Sequence, residues 1–265
     1  MAEPHPVASF DPVVEVLADA DAVGARAAAL IAGVVDDLPG AVLGFPTGAT
    51  PGPTYRALEA LVGAREADFT GVSVFLLDEY LGLGATDPRS YRATIRREAA
   101  GPLGVPDGAV FGPGADAADP QEACQRYEDQ IDAAGGIDMV MLGIGRNGHI
   151  GFNEPGTPFN LRTHITALSD ATRVDNARYF GSVANVPTHA ITQGPATICD
   201  ARRILLVATG AAKAPAIARA LTGEVDEDCP ASILRTHPEV RVLVDPDAAA
   251  GLGEHVRRVA RLGEG

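Results

Sequence analysis

The chain has 265 residues, of which 46% are hydrophobic and 21% are charged, and its formal net charge is −14. A chain of this length can bury one large core, so we expect residues 1–265 to form a single domain. The acidic balance disfavours nucleic acid and anionic lipid as partners, and it requires that any anionic ligand bind in a locally organised pocket.

Apolar runs of strand length alternate along the chain with segments of helical periodicity. The strand candidates are residues 13–18, 41–45, 72–77, 137–144, 203–208 and 240–244, and several are unbroken, as in parallel strands buried on both faces. Helical periodicity covers residues 21–37, 54–64, 90–100, 120–134 and 213–221. The alternation predicts a Rossmann-like α/β fold, a doubly wound, mostly parallel open sheet with helices on both faces. Because such sheets bind ligands at the carboxyl ends of their strands, the residues that follow each strand are the candidates for a site.

The second predicted strand runs into the sequence GFPTGATP at 44–51. Backbone N–H groups at the start of a helix, together with two threonine hydroxyls, can bind a phosphate group. The same residues also suit an ordinary β–α turn, since threonine and proline commonly start helices. The candidate phosphate ligands in this loop are Thr47, Gly48, Ala49 and Thr50.

Two acids, Asp78 and Glu79, close the third predicted strand. A carboxylate that is buried at a ligand crevice has a raised pKa, as a general base working near neutrality requires. A helix cap or a surface ion pair is the alternative interpretation of this pair. Asp78 is the candidate base.

The sequence GIGRNGHIGFNEPG at 143–156 follows the fourth predicted strand and contains the GxGxxG spacing of dinucleotide sites. A dinucleotide site requires a helix that continues from the last glycine, and the Pro-Gly pair interrupts the chain too soon, so we reject that interpretation. What remains is a loop that presents Asn147, His149 and Glu154. A lone histidine is more often structural, but a nearby carboxylate can fix its tautomer and hold its charge, which favours a catalytic role.

A lysine and an arginine complete the candidate site. Lys213 lies in the first turn of the helix that follows the strand at 203–208, where a cation opposes the helix dipole unless an anion joins it. Arg178 lies on another predicted helix, and its guanidinium geometry matches that of a phosphate. Each is by itself compatible with a surface position. Together with the loops, they predict a phosphate cradle beside proton-transfer groups, an inventory that suits proton transfer on a sugar phosphate.

The remaining features indicate compartment and cofactors. The three cysteines are scattered without a CxxC pair, which indicates reduced thiols and no metal site. The N-terminus has no basic segment followed by an apolar run, and the longest apolar stretches are too short to span a membrane. We therefore expect a cytoplasmic protein that needs no metal or cofactor and has no membrane partner. Patterning does not choose between a monomer and a homo-oligomer.

In collinear order from about residue 43 to residue 247, the chain resembles the glucosamine-6-phosphate deaminase (isomerase) family. The resemblance is carried by GFPTGATP, LLDEYLGL, GIGRNGHIGFNEPGT, VPTHAIT and ATGAAKA, of which the GHIGFNEPG string is long and chemically unusual. It implies an enzyme that converts glucosamine 6-phosphate to fructose 6-phosphate and ammonia without cofactor or metal.

The resemblance also implies a role for each candidate residue. Asp78 matches the base that moves a proton between C2 and C1, and His149 matches the acid/base that opens the sugar ring, with Glu154 as its charge partner. The residues that match the phosphate pocket are Thr47, Gly48, Ala49, Thr50, Arg178 and Lys213.

Two positions depart from the family's best-studied branch. That branch has Asp where this chain has Asn147, which cannot carry charge but can orient His149 by hydrogen bonding. Shorter bacterial members share the asparagine, so we expect activity with Glu154 supplying the charge. An Arg and a Lys of the allosteric branch correspond to His164 and Thr166, and we therefore expect a short, non-allosteric type that N-acetylglucosamine 6-phosphate does not activate.

Three alternatives remain open on the sequence. A relative acting on galactosamine 6-phosphate differs only in the orientation of one substrate hydroxyl. A 6-phosphogluconolactonase shares the broad fold and the handling of phosphate, but its hydrolysis needs no base at C2. A sugar-phosphate sensor of a transcriptional regulator requires a DNA-reading helix-turn-helix, which we do not find, and the net charge of −14 is unsuited to DNA.

Overall fold

Seven parallel strands and a separate three-stranded antiparallel sheet organise residues 11–253, the part of the chain that the computed structural model describes. The outer parts of the predicted domain, residues 1–10 and 254–265, lie outside the described residues. The strands are β1 (Val13–Val16), β2 (Val42–Phe45), β3 (Ser73–Leu76), β4 (Asp78–Tyr80), β5 (Val110–Phe111), β6 (Met139–Leu142), β7 (His164–Ala167), β8 (His189–Thr192), β9 (Ile204–Ala208) and β10 (Val240–Val244). The α-helices are α1 (Ala20–Asp37), α2 (Gly52–Gly63), α3 (Tyr91–Ile95), α4 (Pro120–Ala133), α5 (Asp170–Phe180), α6 (Pro195–Cys199) and α7 (Ala214–Thr222). Among these helices, none is long and apolar enough to cross a lipid bilayer.

The main sheet has the strand order β1-β10-β9-β6-β2-β3-β5, and all its neighbouring strands are parallel. After β2 the chain adds β3 and β5 on one side, and after β6 it adds β9 and β10 on the other. The winding direction therefore reverses between β2 and β6, the position at which open α/β sheets bind their ligands. The predicted doubly wound, mostly parallel sheet is confirmed.

Helices cover both faces of this sheet. On one face α1, α2 and α3 contribute Val23, Leu58 and Ile95 to a buried apolar cluster, and on the other α4 and α7 contribute Ile131 and Ile217. Every residue of β6 and β9 is buried. Burial on two faces explains why the predicted strands are unbroken apolar runs rather than alternating ones.

The smaller antiparallel sheet, whose order is β4-β8-β7, has no counterpart among the strands predicted from the sequence. Just after β3, the chain leaves the main sheet, and β4 pairs with β8 so that Asp78 lies opposite Thr192. β4 consists of Asp-Glu-Tyr, which has no apolar run to mark it as a strand. This second sheet matters for the site because it carries Asp78 away from the main sheet and into the crevice.

Candidate active site

A cavity of about 770 Å³ opens beside the carboxyl ends of β2, β6 and β9. The four strand-end segments singled out in the sequence, and the predicted helix with Arg178, all reach its wall, although they are far apart in the chain. The predicted site residues that line it are Thr47, Gly48, Ala49, Thr50, Asp78, His149, Arg178 and Lys213. Asn147 and Glu154 are not on the wall, but both contact His149.

The cavity wall is basic although the chain as a whole is strongly acidic. Its lining includes five basic side chains, Arg89, Arg97, Arg146, Arg178 and Lys213, and two acidic ones, Asp78 and Glu98. Such a local excess of positive charge attracts an anion even when the net charge of the protein is −14. The cavity is therefore a locally basic pocket of the kind that an acidic protein needs in order to bind an anion.

The loop after β2, residues 46–51 (the β2 loop), has a conformation that the protein itself maintains. Gly48 has a φ of 109°, in the left-handed region that favours glycine. The hydroxyl of Tyr55, on α2, donates a 2.6 Å hydrogen bond to the carbonyl oxygen of Pro46 and holds the start of the loop. Interactions within the protein thus determine the backbone conformation of this loop.

Lys213 ties two of the converging segments together. It ends a short 3₁₀ turn, Ala211–Lys213, and therefore precedes α7 instead of lying within its first turn. Its Nζ donates a 2.6 Å hydrogen bond to the carbonyl oxygen of Ile144, in the segment after β6. The sequence contains a signal for this residue that our sequence analysis did not use, since Lys213 is the one lysine among 21 basic residues.

Arg178 reaches the cavity wall from α5, a helix that carries none of the other predicted phosphate ligands. It lies in the last turn of α5, is exposed, and its guanidinium carbon is 4.8 Å from the centroid of the Tyr179 ring. An exposed guanidinium on the wall can reach an anion inside the cavity while it keeps its hydration elsewhere.

The two neighbouring acids Asp78 and Glu79 have different surroundings. Asp78 lines the cavity with only 8% of its surface exposed, and burial together with the nearby Glu79 raises its pKa from 3.8 to about 8. The Glu79 carboxylate instead accepts hydrogen bonds from the backbone N–H groups of Tyr91 and Arg92, at the start of α3. The alternative of a helix cap therefore applies to Glu79, and Asp78 is the acid that faces the cavity.

His149 lies beside a charged carboxylate. Its Nδ1 is 3.6 Å from Glu154 Oε2, which in turn accepts a 2.6 Å hydrogen bond from Asn147 Nδ2. Burial would raise the pKa of Glu154, but its interactions with His149, Thr172 and Asn147 outweigh that effect and lower it to about 2. Glu154 is consequently an anion at any ordinary pH, and Asn147 positions it.

Sequence reasoning missed two residues that hold the other oxygen of this carboxylate. Glu154 Oε1 accepts hydrogen bonds from Ser169 Oγ at 3.1 Å and from Thr172 Oγ1 at 2.8 Å. Ser169 is also the N-cap of α5, which the Ser-x-x-Thr spacing could have indicated. Nothing in that spacing connects the cap to an acid 15 residues earlier in the chain.

One glycine of residues 143–156, here called the His149 loop, makes room for the imidazole. A Cβ on Gly145 would lie 2.3–2.5 Å from three atoms of the His149 ring, which is too close for any real side chain. From Gly143 to Thr163, a fully described stretch, the chain forms no helix, in agreement with our rejection of a dinucleotide site. Of the three glycines in the GxGxxG spacing, Gly145 is therefore the one on whose bare backbone the His149 ring packs.

The cavity thus combines a buried carboxylate with a high pKa, a histidine beside a permanent anion, and a basic wall. In the described part of the chain, no group of three or more His, Cys, Asp or Glu side chains is arranged to hold a metal ion. The groups on the wall can bind an anion and exchange protons with a ligand held beside it.

Known proteins that resemble this chain are named as enzymes of sugar phosphates. Residues 18–243 match the family model described as glucosamine-6-phosphate isomerases/6-phosphogluconolactonase. The chain is 48% identical over 239 residues to the glucosamine-6-phosphate deaminase of Arthrobacter sp. (strain FB24), a match that covers 90% of this chain and 92% of the relative. The Streptomyces coelicolor enzyme of the same name is 46% identical over 240 residues, with the same coverage.

Solved structures agree with the sequence relatives. A monomeric glucosamine-6-phosphate deaminase superposes with a TM-score of 0.87 at 42% identity, over 90% of this chain and 99% of that one. The 6-phosphogluconolactonase from Trypanosoma brucei superposes with a TM-score of 0.75 at 22% identity, over 92% of this chain and 100% of that one. The second likeness shows a common fold.

Proposed function

This chain belongs to the family of glucosamine-6-phosphate isomerases and 6-phosphogluconolactonases, and we propose that it is a glucosamine-6-phosphate deaminase. It converts glucosamine 6-phosphate and water to fructose 6-phosphate and ammonia. The observation that carries the proposal is the placement of Asp78 and His149 on one cavity whose wall has more basic than acidic side chains. The identity of 46–48% to deaminases over nine-tenths of the chain supports the same conclusion.

The basic wall binds the phosphate group of the substrate. The β2 loop offers backbone N–H groups and the hydroxyls of Thr47 and Thr50, while Arg178 and Lys213 supply positive charge from two other segments. Binding at this end orients the sugar, so that a reaction between groups fixed in place replaces an encounter in solution.

His149 opens the sugar ring. The proton on C2 becomes acidic only when C1 is a free aldehyde, so ring opening must come first. The imidazole passes a proton from the C1 hydroxyl to the ring oxygen, and the Glu154 anion stabilises the imidazolium that forms during the transfer. Asn147 keeps Glu154 in place through their hydrogen bond.

Asp78 then moves a proton between carbon atoms. Its carboxylate removes the proton from C2 of the open aldehyde while the ammonium group of the substrate gives a proton to O1, which forms an enolamine. Asp78 then returns its proton to C1. The product is an imine at C2, which water hydrolyses to fructose 6-phosphate and ammonia. The raised pKa of Asp78 suits this task, because it makes the carboxylate a stronger base than an exposed aspartate.

The decisive test of the function is to incubate the protein with glucosamine 6-phosphate and to measure ammonia and ketose phosphate together. We expect the two products in equal amounts. Parallel reactions with galactosamine 6-phosphate and with 6-phosphogluconolactone identify the alternatives. Lactone hydrolysis without ammonia release from either amino sugar would assign the protein to the lactonase branch of its family.

The rate should depend on pH through Asp78. Since burial and the neighbouring Glu79 raise its pKa to about 8, the base is protonated at neutral pH, and kcat/KM should rise about tenfold per pH unit below that value. Glu154, whose pKa is about 2, stays ionised and contributes no limb in this range. The measurement is kcat/KM from about pH 6 to about pH 9 at constant ionic strength. A flat profile between pH 6 and pH 8 contradicts the assignment of Asp78 as base.

Loss of the single lysine should weaken substrate binding. Replacing Lys213 by Ala removes a charged contact to the phosphate, so KM should rise about ten- to hundredfold while kcat changes less. Lys213→Arg, which keeps the charge, should have the smaller effect. Because the chain has no other lysine, an amine-selective reagent modifies only Lys213 and the N-terminal amine, and inorganic phosphate should protect Lys213. Unchanged KM together with unprotected labelling would remove Lys213 from the phosphate site.

A further inference from the structure

We propose that Glu79 is a positioning residue of this reaction: it fastens the strand that carries Asp78 to the helix that carries Tyr91. The inference deepens the proposed function and rests on it. Glu79 lies outside the cavity wall, is 3% exposed, and is the neighbour of the base on β4, a strand of only three residues. Side chains alternate along a strand, so Asp78 and Tyr80 both line the cavity while Glu79 points away from it.

The Glu79 carboxylate makes three backbone hydrogen bonds. Oε1 accepts from the N–H groups of Tyr80 and Tyr91, both at 2.9 Å, and Oε2 accepts from the N–H of Arg92 at 3.0 Å. Tyr91 and Arg92 are the first two residues of α3, whose N–H groups have no partner within the helix. One buried side chain thus joins the strand of the base to the start of a helix about a dozen residues later in the chain.

The helix that Glu79 holds carries a wall of the cavity. Tyr91 lines the cavity, its hydroxyl donates a 3.0 Å hydrogen bond to the Tyr80 hydroxyl, and it contacts the Thr47 side chain in the β2 loop. Its ring also stacks on Phe152 of the His149 loop, with centroids 6.0 Å apart. Through Tyr91, Glu79 sets the distance between Asp78 and the end of the cavity that binds phosphate.

The charge of Glu79 also acts on Asp78. Burial and the Glu79 carboxylate together raise the pKa of Asp78, and burial raises the pKa of Glu79 itself to about 7 against the lowering effect of its three N–H donors. The titratable or charged groups that face Glu79 are Asp78 and Tyr80 from β4, Asp87 from the loop before α3, and Tyr91 and Arg92 from α3. Removing the negative charge of Glu79 should therefore make Asp78 easier to ionise.

Two substitutions separate the effect of the hydrogen bonds that join Glu79 to α3, here called the tether, from the effect of its charge. Glu79→Asp keeps the charge but is one methylene too short to reach α3, so kcat should fall about ten- to hundredfold with the acidic limb of the pH profile near its wild-type position. Glu79→Gln removes the charge, so kcat should fall and the limb should move to lower pH by about one unit. A merely structural glutamate would lower thermal stability without moving that limb.

Glu128→Gln is the matched control. Glu128 is also a buried glutamate that accepts several hydrogen bonds, from Thr163, Thr197 and Arg162, but it lines a separate cavity. Its variant should lose thermal stability and keep the wild-type kcat and pH profile. Wild-type kcat in Glu79→Asp, or equal losses of kcat in Glu79→Gln and Glu128→Gln, would overturn the proposal.

Amide hydrogen exchange tests the tether without reference to turnover. The N–H groups of Tyr91 and Arg92 should exchange slowly in the wild type and at least tenfold faster in both Glu79 variants, while the exchange in Glu128→Gln stays as in the wild type. Exchange that is equally slow in the Glu79 variants contradicts the tether. If the wild type releases no ammonia from glucosamine 6-phosphate but exchange responds as expected, the proposed function fails and the tether stands.

Discussion

Replacing Asp78 by Asn should reduce kcat by about 10²–10⁴-fold and leave substrate binding nearly intact. The asparagine has almost the same shape and cannot accept the C2 proton, so the loss falls on the transition state for enolisation. The measurement is kcat for ammonia release together with binding of the substrate to the inactive variant. A small loss of kcat would instead fit a lactone hydrolysis, which needs no base at C2.

The same substitution should stabilise the fold at alkaline pH. Asp78 has a pKa of about 8 when folded and 3.8 in its ordinary state, so the folded protein holds this proton more tightly than the unfolded chain. Its favourable contribution is complete below pH 3.8 and disappears as the pH rises to about 8. Asn carries no charge at any pH, so the Tm of Asp78→Asn should exceed that of the wild type at pH 8 and match it near pH 4.

Asp138→Asn provides the control for that stability change. The Asp138 carboxylate accepts hydrogen bonds from the backbone N–H of Val42 at 2.8 Å and from Arg202 at 3.2 Å, and it does not line the cavity. Its variant should lose stability and keep activity, the opposite of Asp78→Asn. If Asp78→Asn is less stable than the wild type at pH 8, burial does not destabilise the ionised Asp78 carboxylate. The role of Asp78 as a base with a raised pKa would then be wrong.

Adding one methyl group at Gly145 should lower kcat by about a hundredfold. The new Cβ would lie 2.3–2.5 Å from Cε1, Nδ1 and Nε2 of His149, so the imidazole must move from its place beside Glu154. Because His149 is the residue that we propose opens the ring, the defect of Gly145→Ala should shrink when an acyclic analogue of the substrate is supplied. The measurement is the ratio of kcat values for the cyclic and acyclic compounds.

Gly114→Ala is the control for added volume in a loop. A Cβ at Gly114 meets no atom within 4 Å, and the residue lies away from the cavity, so this variant should keep the wild-type kcat. An equal loss in both variants would show that loop glycines matter here for chain flexibility. A normal kcat in Gly145→Ala would show that His149 can act from another position.

Much of the fold could be predicted because the patterns that specify its strands and helices lie within short stretches of the sequence. Parallel strands buried on both faces need unbroken apolar runs, so β6 and β9 were visible in the sequence, as were α1 and α4 from their periodicity. Because ligands bind at the carboxyl ends of the strands in such sheets, loops far apart in the chain could be identified as parts of one candidate site. The structure brings those loops to one cavity.

The site residues that escaped prediction act through partners distant in sequence. Ser169 and Thr172 look like an ordinary helix start, and their hydrogen bonds to Glu154 exist only because α5 folds against the His149 loop. β4 likewise has no apolar pattern of its own and is a strand only because β8 lies beside it. Contacts of this kind leave no periodic trace in the sequence.

The amino-acid sequence by itself determined which residue types follow each strand, and it predicted that the candidate anion-binding and proton-transfer residues meet at one edge of the sheet, where they share one cavity. Only the tertiary structure decided that the two adjacent acids have different surroundings. Asp78 lines the cavity, and the Glu79 carboxylate accepts hydrogen bonds from the start of α3. The physical reason is that a strand sends neighbouring side chains to opposite faces. The face of the strand on which each carboxylate lies, and the groups that it contacts there, set its pKa and its role.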